Sequence, residues 1–151
     1  MVADEPVSMI DVSLRTTIID LMLSFRKELG LTYLFITHDL AVAKYISDRI
    51  AIMYLGKIVE MGFKDDIFDA PMHPYTISLL SAIPIPDPRI KPQRIIPKGE
   101  IPSPINPPSG CRFHPRCPIA TRECSQEEPN LSRIGPNHYV ACYHPGEIIK
   151  S

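Results

Sequence analysis

The sequence lacks a charge imbalance, a long apolar run and an internal repeat. It contains 16 Lys and Arg against 17 Asp and Glu, so its formal net charge is −1. A chain so close to neutral has no electrostatic basis for binding nucleic acid or an acidic lipid surface. No apolar stretch approaches the roughly 20 residues that a membrane-spanning helix needs. The N-terminus also lacks the basic and apolar segments of a secretory signal, and these absences together predict a cytoplasmic location.

Cysteine and proline are the two residue types whose number and placement are informative. In a reducing compartment, the four cysteines are better interpreted as metal ligands or free thiols than as disulfides. Of the 17 prolines, nine lie between residues 84 and 108. Because no interior helix or central strand fits that density, this segment is predicted to be an extended linker.

Apolar spacing predicts the secondary structure of the first half. The residues from Val12 to Leu29 repeat with the period of a helix, and Gly30 is placed to end it. The β-branched and aromatic run that follows is typical of a buried strand. In chain order we predict a helix over 12–29, a strand over 32–37, a helix over 39–46, a hairpin formed by 49–54 and 57–61, and a helix over 73–83.

An acidic pair and a histidine follow two of the predicted strands. Asp4 and Glu5 come directly after the apolar residues 1–3. A carboxylate at a strand end can hold magnesium on a nucleotide phosphate, and a second carboxylate can orient or deprotonate the attacking water. His38 ends the next strand, where an imidazole can polarise a γ-phosphate. Each residue alone also fits an ordinary structural role, and their order along the chain makes the combination specific.

These ordered motifs resemble the ATP-binding subunits of ABC importers. The stretch ADEPVSMIDVS is similar to their Walker B and D-loop region, and FITHDLAVAKYISDRIAIMYLGKIVEMG to the H-loop and the hairpin after it. The run HPYTISLLSAIP resembles the segment that follows in oligopeptide and dipeptide importer ATPases. The resemblance covers essentially the whole chain. It implies an α/β fold, in which an incomplete P-loop NTPase core precedes a small, irregular cysteine-rich domain.

The resemblance implies a role for each matching residue. Asp4 would hold the magnesium of Mg-ATP, Glu5 would be the catalytic base, and His38 would be the γ-phosphate switch. Ser8 and Asp11 would lie in the D-loop, at the interface with a second ATPase subunit. Such a protein would act at the cytoplasmic face of the cell membrane, driving uptake of oligopeptides or dipeptides through membrane-spanning permease subunits.

Other motifs of the family are absent from this sequence. It contains no G-x-x-x-x-G-K-(S/T) phosphate loop, no Q-loop glutamine and no LSGGQ-type signature. We therefore expect a fragment or truncated product that is inactive alone. The strand that leads to the phosphate loop is missing as well, and the two strands beside it would keep unpaired edges. Because such edges recruit other strands, we expect a homodimer of the fragment.

The cysteines are spaced C-x5-C-x6-C-x17-C. Zinc sites usually pair their ligands as C-x2-4-C, whereas four thiolates also suit a four-iron, four-sulfur cluster; the spacing does not decide between them. The segments GCRFHPRCPIATREC and HYVACYHP resemble the C-terminal extension of the same importer ATPases. That resemblance implies an iron–sulfur cluster held by Cys111, Cys117, Cys124 and Cys142. The alternatives are zinc, and disulfides or free thiols in the prepared protein. A cluster lost in air would leave only its oxidised remains.

The interpretation divides the chain into three parts. The C-terminal part of an ABC ATPase domain covers 1–83, a proline-rich linker covers 84–108, and a cysteine-rich domain covers 109–151. The last part has few large apolar residues and is expected to need a covalent or metal crosslink to fold. The alternative function is a metal- or cluster-binding interaction module without nucleotide chemistry, and a third is redox sensing through the cluster.

Overall fold

The chain folds as two compact units of mixed helices and strands. The computed structural model describes residues 1–83 and 95–147, so much of the predicted linker lies outside the described residues. One unit covers Met1–Asp48 and the other Arg49–Ser151. Among the described residues, no helix combines the length and the apolar character needed to cross a membrane.

The first unit is a pair of short parallel strands packed with two helices. Strand β1 covers Val2–Asp4, helix α1 Val12–Leu29, strand β2 Leu34–Ile36 and helix α2 Leu40–Ile46. Both predicted helices are confirmed. The predicted strand over 32–37 is shorter, because β2 pairs residue for residue with the three residues of β1. The core residues of this unit are Val7, Ile19 and Ile46, surrounded by Ile10, Ile18, Met22, Leu23, Phe35 and Val42.

Local signals fix the ends of both helices. Gly30 ends α1 in the left-handed conformation at φ 64°, and its N–H donates to the carbonyl of Arg26. Asp39 begins α2, where one side-chain oxygen accepts the N–H groups of Ala41 and Val42 at 2.9 and 3.2 Å. This capping bond satisfies donors that a helix otherwise leaves unpaired.

The second unit is built on a four-stranded antiparallel sheet. Strands β3 (Arg49–Tyr54) and β4 (Lys57–Phe63) form the predicted hairpin. Leu55 and Gly56 both have positive φ, 45° and 81°, as the tightest hairpin turn requires. Strands β5 (Ser132–Gly135) and β6 (His138–Val140) come from the cysteine-rich tail, and the order is β3-β4-β6-β5.

The pairing of β6 with β4 joins the tail to the hairpin. Val140 lies opposite Glu60, and Phe113 of the tail is almost completely buried. The tail therefore obtains its core from the hairpin, a source that composition of residues 109–151 does not reveal. The three-part division predicted from the sequence stays a prediction, and the compact unit that begins at Arg49 crosses its boundaries.

Short helices complete the second unit. Helix α3 covers Lys64–Asp69, α4 Pro74–Ser81 and α5 Arg122–Gln126, with a 3-10 turn at His114–Arg116. The predicted helix over 73–83 is confirmed as α4, with His73 as its cap and Pro74 in the first turn. Four rings pack together beside it, with centroids 4.7 to 5.9 Å apart: Tyr54, His73, Tyr75 and Phe113.

Candidate functional site

The carboxyl ends of β1 and β2 bring Glu5 and His38 into contact. Because the strands are parallel, both residues leave the sheet at the same edge. The Glu5 carboxylate oxygen Oε1 lies 2.7 Å from His38 Nδ1 and also accepts the backbone N–H of His38 at 3.1 Å. The His38 side chain is 78% exposed and that of Glu5 35%. The pair can therefore meet a ligand that approaches this edge.

Glu5 has a backbone conformation that a non-glycine residue rarely adopts. Its φ is 47°, in the left-handed region, and its N–H donates to the Ile36 carbonyl at 2.9 Å. Such a conformation costs on the order of 1–3 kcal/mol and occurs most often where it positions a functional group. Here it turns the Glu5 side chain toward His38 directly after the strand.

The turn after Glu5 carries the predicted D-loop residues. Both the N–H and the hydroxyl of Ser8 donate to the Glu5 carbonyl, at 3.2 and 2.9 Å. Asp11 occupies the cap position of α1, yet its side chain accepts no capping bond. Asp4 is exposed at the end of β1. The structure thus brings Ser8 to the backbone of Glu5 and leaves the Asp4 and Asp11 carboxylates exposed.

Sequence reasoning missed Arg15, which links this turn to the start of α2. Its Nε donates to the Ile10 carbonyl at 2.9 Å, and its guanidinium lies 4.0 Å from the Asp39 carboxylate. An ion pair this exposed contributes little energy, so its role is to orient the segments. The sequence signal for this contact is Asp39 at the predicted start of α2, where its carboxylate is placed to meet a cation.

In the second unit, all four cysteines line one cavity. Its volume is about 10 Å³, roughly the space of one water molecule. All four are free thiols. Within the described part of the chain, however, no three Cys, His, Asp or Glu side chains lie close enough together to hold a single metal ion. The arrangement does not support a metal site as it stands, and the metal role of the cysteines stays a proposal.

One glycine allows two cysteine segments to approach each other, and a second lies against Met72. Gly110 has φ 65°, and a Cβ there would lie 2.5 Å from the Cys124 carbonyl oxygen. The next N–H, that of Cys111, donates to the same oxygen at 2.8 Å. Gly146 has φ 74°, and a Cβ there would lie 2.8 Å from the Met72 sulfur. A side chain at Gly110 would collide with the backbone of the Cys124 segment, whereas at Gly146 it would meet only the end of the flexible Met72 side chain.

Burial and backbone donors act on the thiols in opposite directions. Burial raises the pKa of the Cys111 thiol, raises that of Cys117 to about 11 and raises that of Cys142 to about 12. Backbone N–H groups two or three residues further along lower the pKa of each. They belong to Phe113 and His114 at Cys111, to Ile119 at Cys117 and to His144 at Cys142.

The fourth cysteine has a side-chain neighbour instead. The Cys124 sulfur lies 3.4 Å from the Thr121 hydroxyl, which lies 3.1 Å from Nε2 of His144. Each cysteine therefore has a polar group near its sulfur, of the kind that can donate a hydrogen bond to a thiolate. No sequence pattern pointed to Thr121.

Glu60 and His138 form a buried network beside the cavity. The fully buried Glu60 carboxylate accepts the N–H groups of Met72 and His73 at 2.8 and 2.9 Å. It also lies 2.8 Å from His138 Nε2 on β6. The network ties the start of α4 to both β4 and β6. Its partners are distant in sequence, so no local signal could have predicted it.

Comparison with known proteins shows which transport proteins this chain is similar to. The model of the oligopeptide/dipeptide transporter C-terminal region matches residues 59–124. The oligopeptide transport ATP-binding protein AppF of Bacillus subtilis is 50% identical over 145 residues, covering 95% of this chain and 44% of that protein. The dipeptide transport ATP-binding protein DppF of Haemophilus influenzae is 49% identical over 144 residues, with 95% and 44% covered. The chain thus spans less than half the length of these curated relatives.

Proposed function

We infer that this chain, which is related over 95% of its length to oligopeptide and dipeptide transport ATP-binding proteins, is the part of such a subunit that activates water and senses the γ-phosphate. The observation that carries the proposal is the contact between Glu5 and His38 at the carboxyl ends of two parallel strands. Glu5 Oε1 and His38 Nδ1 lie 2.7 Å apart. A carboxylate and an imidazole at one exposed edge suit phosphoryl transfer to water.

The proposed reaction is hydrolysis of Mg-ATP as substrate. Asp4 would bind the magnesium ion that bridges the phosphates. Glu5 would take a proton from the water that attacks the γ-phosphorus, as the bond to the β-phosphate oxygen breaks and ADP leaves. His38 Nδ1 lies 2.7 Å from the Glu5 carboxylate, so Nε2 is the ring nitrogen that would meet the γ-phosphate. The phosphate-cradling loop would come from residues outside this chain.

The D-loop residues would contact a second ATPase subunit. Met9, between Ser8 and Asp11, is 97% exposed, and an apolar side chain held in solvent on a tight turn suits an interface. From the names of the relatives we propose peptide uptake as the process. The subunit would work at the cytoplasmic face of the membrane with permease subunits.

Variants of the longer protein test the nucleotide role. In a subunit where this chain follows a phosphate loop, Glu5→Gln should lower ATP turnover 10²–10⁴-fold, the usual contribution of a general base. ATP binding should be retained. The control is Glu28→Gln, which alters an exposed acid near the far end of α1 and should leave turnover unchanged. Near-normal turnover in Glu5→Gln would remove Glu5 from the role.

We also propose that Cys111, Cys117, Cys124 and Cys142 hold a four-iron, four-sulfur cluster. The support lies in the chemistry of the donors: four free thiols line one cavity, and polar groups near the sulfurs can stabilise thiolates. The cavity would have to widen from about 10 Å³ to admit the cluster. Such a group would supply one-electron chemistry and crosslink the tail.

Reconstitution tests the cluster. After anaerobic incubation with ferrous iron and sulfide, the protein should be brown and contain about four irons and four labile sulfides, as this cluster type requires. Cys142→Ser should lower both contents. Stoichiometric zinc binding without sulfide uptake would favour zinc. Absence of any metal uptake would contradict the cluster and leave the four cysteines as free thiols.

A further inference from the structure

Arg15 contacts two segments that meet beside Glu5 and His38. Its Nε donates to the Ile10 carbonyl at 2.9 Å, and its Nη1 lies 4.0 Å from Oδ2 of Asp39. Ile10 belongs to the turn after Glu5, and Asp39 directly follows His38. One side chain therefore bridges the two segments that carry the proposed catalytic base and the proposed phosphate sensor.

The two carboxylate oxygens of Asp39 have different partners. Oδ1 accepts the two N–H groups that begin α2, whereas Oδ2 faces Arg15. The Asp39 backbone N–H donates to the Thr37 hydroxyl at 3.0 Å. His38 thus lies between two residues that are bonded to each other, and the position of Asp39 determines where the His38 ring can lie.

The turn after Glu5 is closed at both of its ends. Ser8 donates to the Glu5 carbonyl through its N–H and its hydroxyl. Ile10 packs against the core of this unit, and its carbonyl accepts Arg15. Met9, between these two points, is exposed. The turn therefore has an outer side open to a partner and an inner side that Arg15 joins to the start of α2.

We propose that Arg15 is a positioning residue that sets the place of His38 beside Glu5 by tying the start of α2 to this turn. The inference rests on the proposed hydrolysis of ATP, and Arg15 acts through His38 and not on the nucleotide. The same turn would contact a second ATPase subunit. That contact would reach His38 through Arg15 and Asp39, a continuous route of bonded groups.

Two substitutions test this role, and a third is their matched control. Arg15→Met keeps an unbranched apolar stem and removes both donors. Asp39→Asn keeps a side-chain oxygen for the cap of α2 and removes the charge that faces Arg15. Tyr45→Phe removes another exposed contact between α1 and α2, the 2.7 Å hydrogen bond from the Tyr45 hydroxyl to Asp20. That contact lies near the end of α2, away from His38.

The first measurement is ATP turnover of a subunit in which this chain follows a phosphate loop. Arg15→Met should lower kcat about 10- to 100-fold, the cost of misplacing a reacting group by about 1 Å, with KM unchanged. Asp39→Asn should also lower kcat, and Tyr45→Phe should not. In the His38→Ala background, Arg15→Met should cause no further loss, because the two residues act as a unit.

A normal kcat in Arg15→Met, or the same loss with and without His38, would overturn the proposal. Glu5→Gln and His38→Ala in the same assay separate this proposal from the proposed function. If both are slow and Arg15→Met is normal, only the role of Arg15 fails. If both turn over normally, the proposed function fails, and the role of Arg15 fails with it.

Amide hydrogen exchange of the 151-residue chain gives a second measurement without nucleotide. The His38 N–H donates to Glu5 Oε1 at 3.1 Å, and this bond should open more often when Arg15 no longer holds the start of α2. Exchange at His38 should be faster in Arg15→Met than in the wild type and unchanged in Tyr45→Phe. Equal exchange at His38 in all three proteins would overturn the proposal.

Discussion

Several single residues have an unusual backbone conformation or a shifted pKa because of their place in the fold. Glu5 keeps a left-handed backbone to reach His38, and Gly110 keeps one to bring Cys111 beside Cys124. His73 stays neutral in a buried cap. Each of these features makes a specific substitution informative.

Acid should destabilise the second unit through His73. Its pKa is about 4 in the folded chain against an ordinary 6.5, so the unfolded chain binds the proton more readily. The stabilisation is complete above pH 6.5 and is lost as the pH falls toward 4. A pKa difference of this size corresponds to about 3 kcal/mol.

Urea unfolding of the chain between pH 7 and pH 4 measures this effect. His73→Asn, which keeps the cap, should show a shallower loss of unfolding free energy than the wild type. Parallel curves for the two proteins would mean that His73 does not titrate in this range.

Gly110→Ala should destabilise the cysteine site. The added Cβ would lie 2.5 Å from the Cys124 carbonyl oxygen at a φ of 65°. Strain of this kind costs on the order of 1–3 kcal/mol. The matched control is Gly99→Ala, because Gly99 has a similar φ of 59° but nothing within 4 Å of a Cβ.

Thermal unfolding and iron uptake distinguish the two glycine variants. Gly110→Ala should lose stability beyond the loss in Gly99→Ala and should take up less iron. Equal behaviour of the two variants would show that the close approach of the Cys111 and Cys124 segments is dispensable.

Among the helices and strands, features encoded by neighbouring residues could be predicted from the sequence, whereas a strand pairing between distant residues could not. Helix α1 begins and ends where its apolar period and Gly30 predict, and the hairpin follows from two strands flanking Leu55 and Gly56. The pairing of β6 with β4 was not predictable, because Val140 and Glu60 meet across 80 residues. The same holds for the sites: Glu5 and His38 could be predicted from strand ends, whereas His73 and Glu60 depend on tertiary contacts.

The Glu60 network should stabilise the junction of β4, β6 and α4. Glu60→Ala leaves two buried N–H groups and His138 without their acceptor. A buried donor left without its acceptor typically costs about 1–3 kcal/mol, so a loss of several kcal/mol in the free energy of unfolding is expected here. The comparison is Glu128→Ala, whose exposed pair with Lys57 spans 2.8 Å and should contribute under about 1 kcal/mol.

Chemical denaturation of both variants tests the network. Combining Glu60→Ala with His138→Phe should lower the free energy of unfolding by less than the sum of the two single effects, because the residues share one network. Additive losses, or an equal cost for Glu128→Ala, would contradict this account of the junction.

At the scale of the whole molecule, the first unit leaves apolar strand surface uncovered. Val2 is 67% exposed and Leu34 61%. Within the described residues, β2 pairs only with β1, and β3 only with β4. Strand edges that lack a partner recruit further strands.

The 151-residue chain should consequently self-associate. Sedimentation velocity over a range of concentrations should show dimers or larger species, and Leu34→Lys should shift the distribution toward monomer. A clean wild-type monomer at high concentration would contradict the expectation. The same chain should hydrolyse no ATP alone, because it lacks the loop that supplies most phosphate contacts.

The coupling between Glu5 and His38 is the most direct test of the proposed function. Turnover should be measured for Glu5→Gln, His38→Ala and the double variant of a subunit in which this chain follows a phosphate loop. Residues that act as a unit are strongly non-additive, so the double variant should be about as slow as the slower single variant. Near-normal turnover in either single variant, or multiplied losses in the double variant, would contradict the assignment of this strand edge as the ATP-hydrolysing site.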